Sequence, residues 1–372
     1  MKKSALTLAL GTLFAGSAYA QTSVTLYGIV DQSIRYTTNS NANDDGLVQL
    51  TNGAITNSRW GIKGSEALGN NLKAIFQLEN GFDPDTGRAN QGGSLFGRQA
   101  YVGLSGDFGT VKLGRQYTEG FNFFGDFDPL TIGNYTANAW PFFLTQFRNN
   151  NVVSYDGKFG GLNVGASYGF GETPGSMSSN QYWGARAAYT FGPFGVGGVY
   201  QQVRDSAGNK QQMWGAAGKY SFGAAKVFLG YLGGKDSTRV SVNGALQGYG
   251  MVDSLMNWDT SQGTTRNAIP VGGDPTANPR KDTIGYAGLT YQLTPALALT
   301  GAFYYDDIEN KNGIAGNDGK RYTGVLLAEY ALSKRTQVYG TVDYNKVKDG
   351  ARTELPGKSN QTGVAVGIRH IF

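Results

Sequence analysis

The chain has 372 residues, with 57 glycines, 22 tyrosines, 20 phenylalanines, only 10 prolines, a single histidine and no cysteine. Without cysteine there are no disulfide staples, thiolate nucleophiles or thiolate metal sites, and His370 alone cannot supply a site that needs two imidazoles. The balance of 32 basic against 27 acidic residues is a weak excess that gives no reason to expect nucleic acid.

The first twenty residues read as an export signal. Lys2 and Lys3 provide the positive start, Ala5 to Phe14 an apolar stretch, and Ala18-Tyr19-Ala20 a small-residue cleavage site. The expectation is a signal peptide at 1–20 and a single mature domain at 21–372, since no linker divides the remainder. Beyond the signal, no apolar run approaches the ~18 residues that a membrane-spanning helix requires. If the mature chain crosses a membrane, strands must do it.

From residue 24 onward the sequence is a procession of segments with period-two alternation, the mark of a strand with two unlike faces. Sixteen are expected: 24–38, 54–67, 72–82, 97–106, 109–116, 150–159, 162–171, 181–191, 194–204, 211–222, 225–235, 282–293, 297–307, 320–332, 336–347 and 361–372. In the seventh, Leu162, Val164, Ala166, Tyr168 and Phe170 oppose Asn163, Gly165, Ser167 and Gly169. Most run about ten residues, enough to cross a bilayer core at the tilt of a barrel strand. The connections alternate strictly between short turns, such as Phe159–Gly161 and Phe191–Pro193, and longer polar loops, such as 117–149 and 236–281. That rhythm sorts all turns to one rim and all loops to the other, as transmembrane barrels do with periplasmic turns and outer loops. Aromatics at segment ends (Tyr168, Phe170, Tyr189, Phe191, Tyr220, Phe222, Tyr330) fit girdles at the two membrane interfaces. An open edge in hydrocarbon would leave backbone N–H and C=O groups without partners, so the sheet must close. Sixteen strands enclose a lumen too wide for side chains to fill. The fold expected is an all-β, sixteen-stranded antiparallel transmembrane barrel.

The last segment, Gln361 to Phe372, places Val364, Val366, Ile368, His370 and Phe372 on one face and ends in Phe, which resembles the C-terminal assembly signature of outer-membrane barrels. The stretches Ser23–Asp31, Ser58–Glu66, Asn71–Gly81, Arg98–Leu104, Val111–Arg115 and Leu332–Thr336 resemble the general porins of β-proteobacteria, such as those of Burkholderia, Comamonas and Neisseria. The resemblance spans the mature chain. One departure is Ile371, where many relatives carry a basic residue.

This resemblance implies a homotrimer in the cell outer membrane, in contact with its lipid. Each barrel would be a passive channel for ions and small hydrophilic solutes, without catalytic residues, cofactor, metal or nucleic-acid partner. It also implies a third outer loop, Tyr117 to Asn149, folded into the lumen. That loop carries Glu119, Asp126 and Asp128 and the aromatics Phe121, Phe123, Phe124, Phe127, Trp140, Phe142 and Phe143. Matching motifs place the basic wall of the constriction at Arg59, Arg98 and Arg148. Strand parity turns Arg59 inward, opposite Trp60 and Ile62, and Arg148 inward, in phase with Ser154 and Asp156. Arg98 is in phase with Ala100, Val102 and Leu104, so either a bulge near Gly97 shifts it or it does not face the pore. Arg35, in phase with Asp31 and Ser33, is a further inward candidate. Three or four arginines against three acids lead to an expected mild anion preference.

Other signals are weaker. His370 reads as an interfacial aromatic. Asn39–Asp45 lacks the ligand spacing of a calcium loop, and no helix follows Gly233-Gly234-Lys235, as a phosphate loop would require. Two other classes remain in view: a barrel enzyme with a rim histidine, and a ligand-selective channel or adhesin using the sixth loop, with Asp253, Trp258 and Arg266.

Overall fold

Alternating side chains dictate strands with one greasy and one wet face, and the computed structural model forms them over most of the residues it describes. It describes residues 23–133, 147–238, 273–355 and 357–372. The export signal at 1–20, the loop aromatics Trp140, Phe142 and Phe143, and Asp253, Trp258 and Arg266 lie outside those residues. The strands are β1 (Ser23–Thr37), β2 (Leu47–Asn52), β3 (Arg59–Gly69), β4 (Leu72–Gly81), β5 (Gln99–Gly106), β6 (Gly109–Tyr117), β7 (Arg148–Phe159), β8 (Leu162–Gly169), β9 (Tyr182–Phe191), β10 (Phe194–Arg204), β11 (Lys210–Phe222), β12 (Ala225–Asp236), β13 (Arg280–Gln292), β14 (Leu297–Glu309), β15 (Gly319–Ala331), β16 (Thr336–Asp349) and β17 (Asn360–Ile371). Among the described residues one α-helix, α1 (Glu119–Phe127), follows β6.

Each strand from β3 to β17 pairs antiparallel with the next, and β1 closes the ring. It pairs with β17 from Ile29↔Ile371 to Thr37↔Gly363 and with β3 from Ser23↔Ser65 to Ile29↔Arg59. The short connections turn tightly. Gly160, between β7 and β8, sits at φ 59, where a side chain would be strained.

The ring has sixteen strand positions although seventeen segments are named, because β2 and β3 are two parts of one wall strand, both paired to β1. The expected segment 54–67 is corrected at its start: residues 53–58 leave the ladder and fold inward. The cause is Asp31, on the inner face of β1. Its carboxylate accepts from the Thr56 N–H (3.0 Å) and the Tyr339 hydroxyl (2.6 Å), and that hydroxyl accepts from the Ala54 N–H at 2.9 Å. Ala54 and Ile55 then bury against Tyr339 and Ala365. A strand breaks where side-chain acceptors outbid its ladder partners.

The outer face is apolar around the ring. Leu229, Leu326 and Val366 are 68%, 67% and 61% exposed, a surface that only lipid or another protein can cover. At the short-turn rim the rings of Tyr189, Phe191, Phe194, Tyr220 and Phe222 run on from one another at 5.9, 5.3, 4.4 and 5.6 Å, as an interfacial girdle does.

Inside, the third loop is anchored by α1, an element that strand alternation does not signal. Thr118 caps it, its hydroxyl accepting from the Phe121 N–H. Phe123, Phe124 and Phe127 share the buried side of the helix and pack with Met213, Leu232, Ile284, Tyr286 and Tyr304 of the inner wall. Gly215 makes the seat: a Cβ there would stand 2.5 Å from the Phe124 ring. Burying each phenylalanine contributes about 1.5–3 kcal/mol. We expect Phe124→Ala to weaken docking of the loop by about 3–5 kcal/mol while the strand ring stays closed. Single-molecule current recordings would then show a larger and noisier conductance, with the gel mobility of the folded barrel unchanged.

Candidate functional site

The helix is fixed at both ends by the wall. At its start, the Glu119 N–H donates to the Tyr182 hydroxyl (2.9 Å) and the Gly120 N–H to Gln201 Oε1 (2.8 Å), so two of the helix's orphan donors are satisfied by β9 and β10. Beyond its end, Asp128 accepts from the Tyr304 hydroxyl (2.6 Å) and the Ile132 N–H (2.8 Å). The Tyr286 hydroxyl donates to the Phe127 carbonyl at 3.1 Å. With its phenylalanines turned to the wall, α1 leaves Asn122, Gly125 and Asp126 on its open side.

Against this stands a basic patch. Arg98 pairs through Nε with Glu79 Oε1 at 2.7 Å and donates from Nη2 to the Tyr117 hydroxyl at 2.6 Å. Arg148 donates to the same hydroxyl at 3.3 Å, and its guanidinium lies 4.6 Å over the Tyr117 ring. Arg59 interacts electrostatically with Arg98, Arg148, Glu79 and Tyr117, and its Nε donates to the Asn57 carbonyl at 3.0 Å, so the inward fold at 53–58 aims it. The Tyr117 ring stacks on Phe121 of α1 at 4.2 Å. Wall and loop therefore meet at one aromatic pair.

A second network lies nearer the short turns. Lys112 pairs with Asp156 (2.7 Å), Asp156 with Arg186, and Arg186 with Glu119 of α1 (2.8 Å). Buried pairs of this kind fix geometry more than they stabilise.

The structure thus brings Arg59, Arg98 and Arg148 together. Arg98 precedes β5 in a bend, so strand parity does not govern it, and its contact with Glu79 turns it inward. Arg35 stands apart in a two-pronged pair with Asp343 (2.7 and 3.0 Å). It lies six residues along β1 from the partner of Arg59, roughly 20 Å at the rise of a strand. Of the three loop acids only Asp126 is exposed, with the Lys219 ammonium donating to its backbone carbonyl at 3.0 Å. Glu119 is buried in its pair with Arg186, and Asp128 is buried beneath the loop, so neither offers an open carboxylate to the lumen. Tyr117, Glu79, Lys112 and Arg186 are absent from the sequence-based set. Parity could have found Lys112, between Val111 and Leu113, and Arg186, between Ala185 and Ala187. His370 faces outward with Nδ1 2.9 Å from the Thr336 hydroxyl, and among the described residues no group of His, Cys, Asp and Glu is arranged to hold a metal.

The family described as Gram-negative porin matches residues 5–350. An outer membrane porin protein of Bordetella pertussis is 32% identical, with all of both chains covered. Among solved structures, the anion-selective porin from Comamonas acidovorans superposes with a TM-score of 0.73 at 26% identity, covering 95% of this chain and 100% of its own. OmpT of Vibrio cholerae in a trimer form gives 0.65 at 15% identity over 94% and 99%, a likeness of fold alone.

Burial pushes the Asp128 carboxyl up to about 7, against the hydrogen bonds from Tyr304 and the backbone that favour its ionised form. The docked loop therefore prefers protonated Asp128. That contribution is complete below the ordinary aspartate range and is lost as pH rises through about 7. Loop-derived current fluctuations are expected to increase between about pH 5 and about pH 8 in the native protein. They should be independent of pH in Asp128→Asn, as noise analysis would show.

Proposed function

Because the chain belongs to the Gram-negative porin family, we propose that its passage is narrowed between α1 and the Arg59–Arg98–Arg148 patch and that it prefers anions mildly. The protein is an outer-membrane channel, not an enzyme: ions and small hydrophilic solutes pass by diffusion, with no covalent step. The observation that carries the selectivity reading is the gathering of three guanidinium groups around Tyr117, Arg98 and Arg148 buried and Arg59 part-exposed, while Glu119 and Asp128 are buried with partners of their own. Fixed charges at a narrow section act through a short, poorly screened path, so a local cationic excess outweighs charge spread over the mouths. Residues 1–20 serve in this reading as the export signal.

Reversal potentials under a salt gradient test it. The native channel should favour chloride over potassium, and Arg59→Gln, Arg98→Gln and Arg148→Gln should each reduce that ratio by about twofold or more. Native cation preference would sink the reading. Conductance that saturates with an added sugar would favour a ligand-selective channel instead.

We further propose a homotrimer joined through the face of β1, β2, β16 and β17. A shallow apolar groove of about 630 Å³ there is lined by Ile34, Leu50, Val338, Val366 and Ile368 among others. Apolar side chains of a second copy would fill it without unpaired charge. Light scattering in detergent should give three chains per particle for the native protein and one for Val366→Arg. A native monomer, or a variant that stays trimeric, would count against this face.

A further inference from the structure

Tyr117 carries no motif, yet it stands where the wall arginines meet the loop helix. Three guanidinium groups in one patch repel, the more so where water screens them poorly. Something must hold them against that repulsion. Glu79 holds one of them, Arg98. The Tyr117 hydroxyl is the shared acceptor of Arg98 and Arg148, at 2.6 and 3.3 Å. The ring adds its electron-rich face, 4.6 Å from the Arg148 guanidinium carbon and 6.0 Å from that of Arg98. Its other attachment is the loop: the parallel stack on Phe121 at 4.2 Å, with Phe121 edge-on to Phe147 at 5.2 Å. Arg148 also lies 5.8 Å over Phe121.

We propose that Tyr117 is the positioning residue for charge selectivity. It gathers Arg98 and Arg148 beside Arg59 into one anion-facing patch and couples that patch to the seating of the third loop. The hydroxyl sets the arginine geometry, and the ring ties it to the helix. In consequence the selectivity of the channel depends on a tyrosine as well as on the arginines, and movement of α1 is transmitted to the cations through Phe121.

The inference rests on the reading of the arginine patch as the selective element, and the experiment separates the two. Reversal potentials and single-channel conductance are measured for the native protein, Tyr117→Phe, Arg148→Gln and the double variant, in potassium chloride gradients. Tyr117→Phe keeps the ring, the stack and the packing, so folded-barrel gel mobility should be native and conductance within about twofold of native, while the chloride-over-potassium ratio falls by about twofold or more. In the double variant the combined loss should be smaller than the two single losses multiplied together, because part of the hydroxyl's effect passes through Arg148 and the rest through Arg98. A native ratio in Tyr117→Phe, with Arg148→Gln reduced, would overturn the proposal and leave the arginine reading standing. A native ratio in Arg148→Gln would overturn both. Fully additive losses in the double variant would also overturn it, since the hydroxyl would then have no effect through Arg148 and would not gather the two arginines. Tyr117→Leu, which removes the ring as well, should add current noise from a loosened loop; quiet current there would refute the coupling to α1.

Discussion

Closure of the backbone hydrogen-bond ring is the constraint on which everything else rests. In hydrocarbon an unpaired N–H or C=O costs several kcal/mol, and a sheet edge presents a row of them. The pairing of β1 with β17 on one side and with β2 and β3 on the other removes both edges. Once the ring exists, alternate side chains must face lipid and the rest must face the lumen. The chemistry of the interior is then the chemistry of every second residue.

A ring of sixteen positions is too wide to pack its own interior, and the third loop answers that geometry. Inward positions on β10 to β15 are not uniformly polar: Val199, Met213, Leu232, Ile284 and Val325 face the lumen and are buried. They would be misplaced in an empty pipe. Under α1 they are the apolar dock that holds the loop across the passage. The same wall changes character from one sector to another, with arginines gathered around Tyr117 at β3 to β7 and an apolar seat for the phenylalanines of α1 at β10 to β15.

The charges near the passage are held rather than loose. Glu79, Tyr117, Asp156 and Glu119 tie Arg98, Arg148, Lys112 and Arg186 into networks that tolerate little side-chain freedom. Such pairs add little net stability, since desolvation offsets attraction. Their contribution is to fix where these charges stand relative to one another.

Much of this was legible in the residues alone. Period-two alternation is a local property, so strand number, lipid and lumen faces, the sorted turns and the inward parity of Arg59 and Arg148 followed from sequence. Three features did not. The break between β2 and β3 depends on Tyr339, which lies 285 residues from the Ala54 amide it accepts from. The burial of Asp128 depends on Tyr304, 176 residues away. The place of Tyr117 depends on the docked helix bringing Phe121 onto its ring. Sequence determined the barrel because pleat and hydropathy are written residue by residue. Tertiary structure alone decided which charges meet, because that follows from contacts across the lumen between segments far apart in the chain.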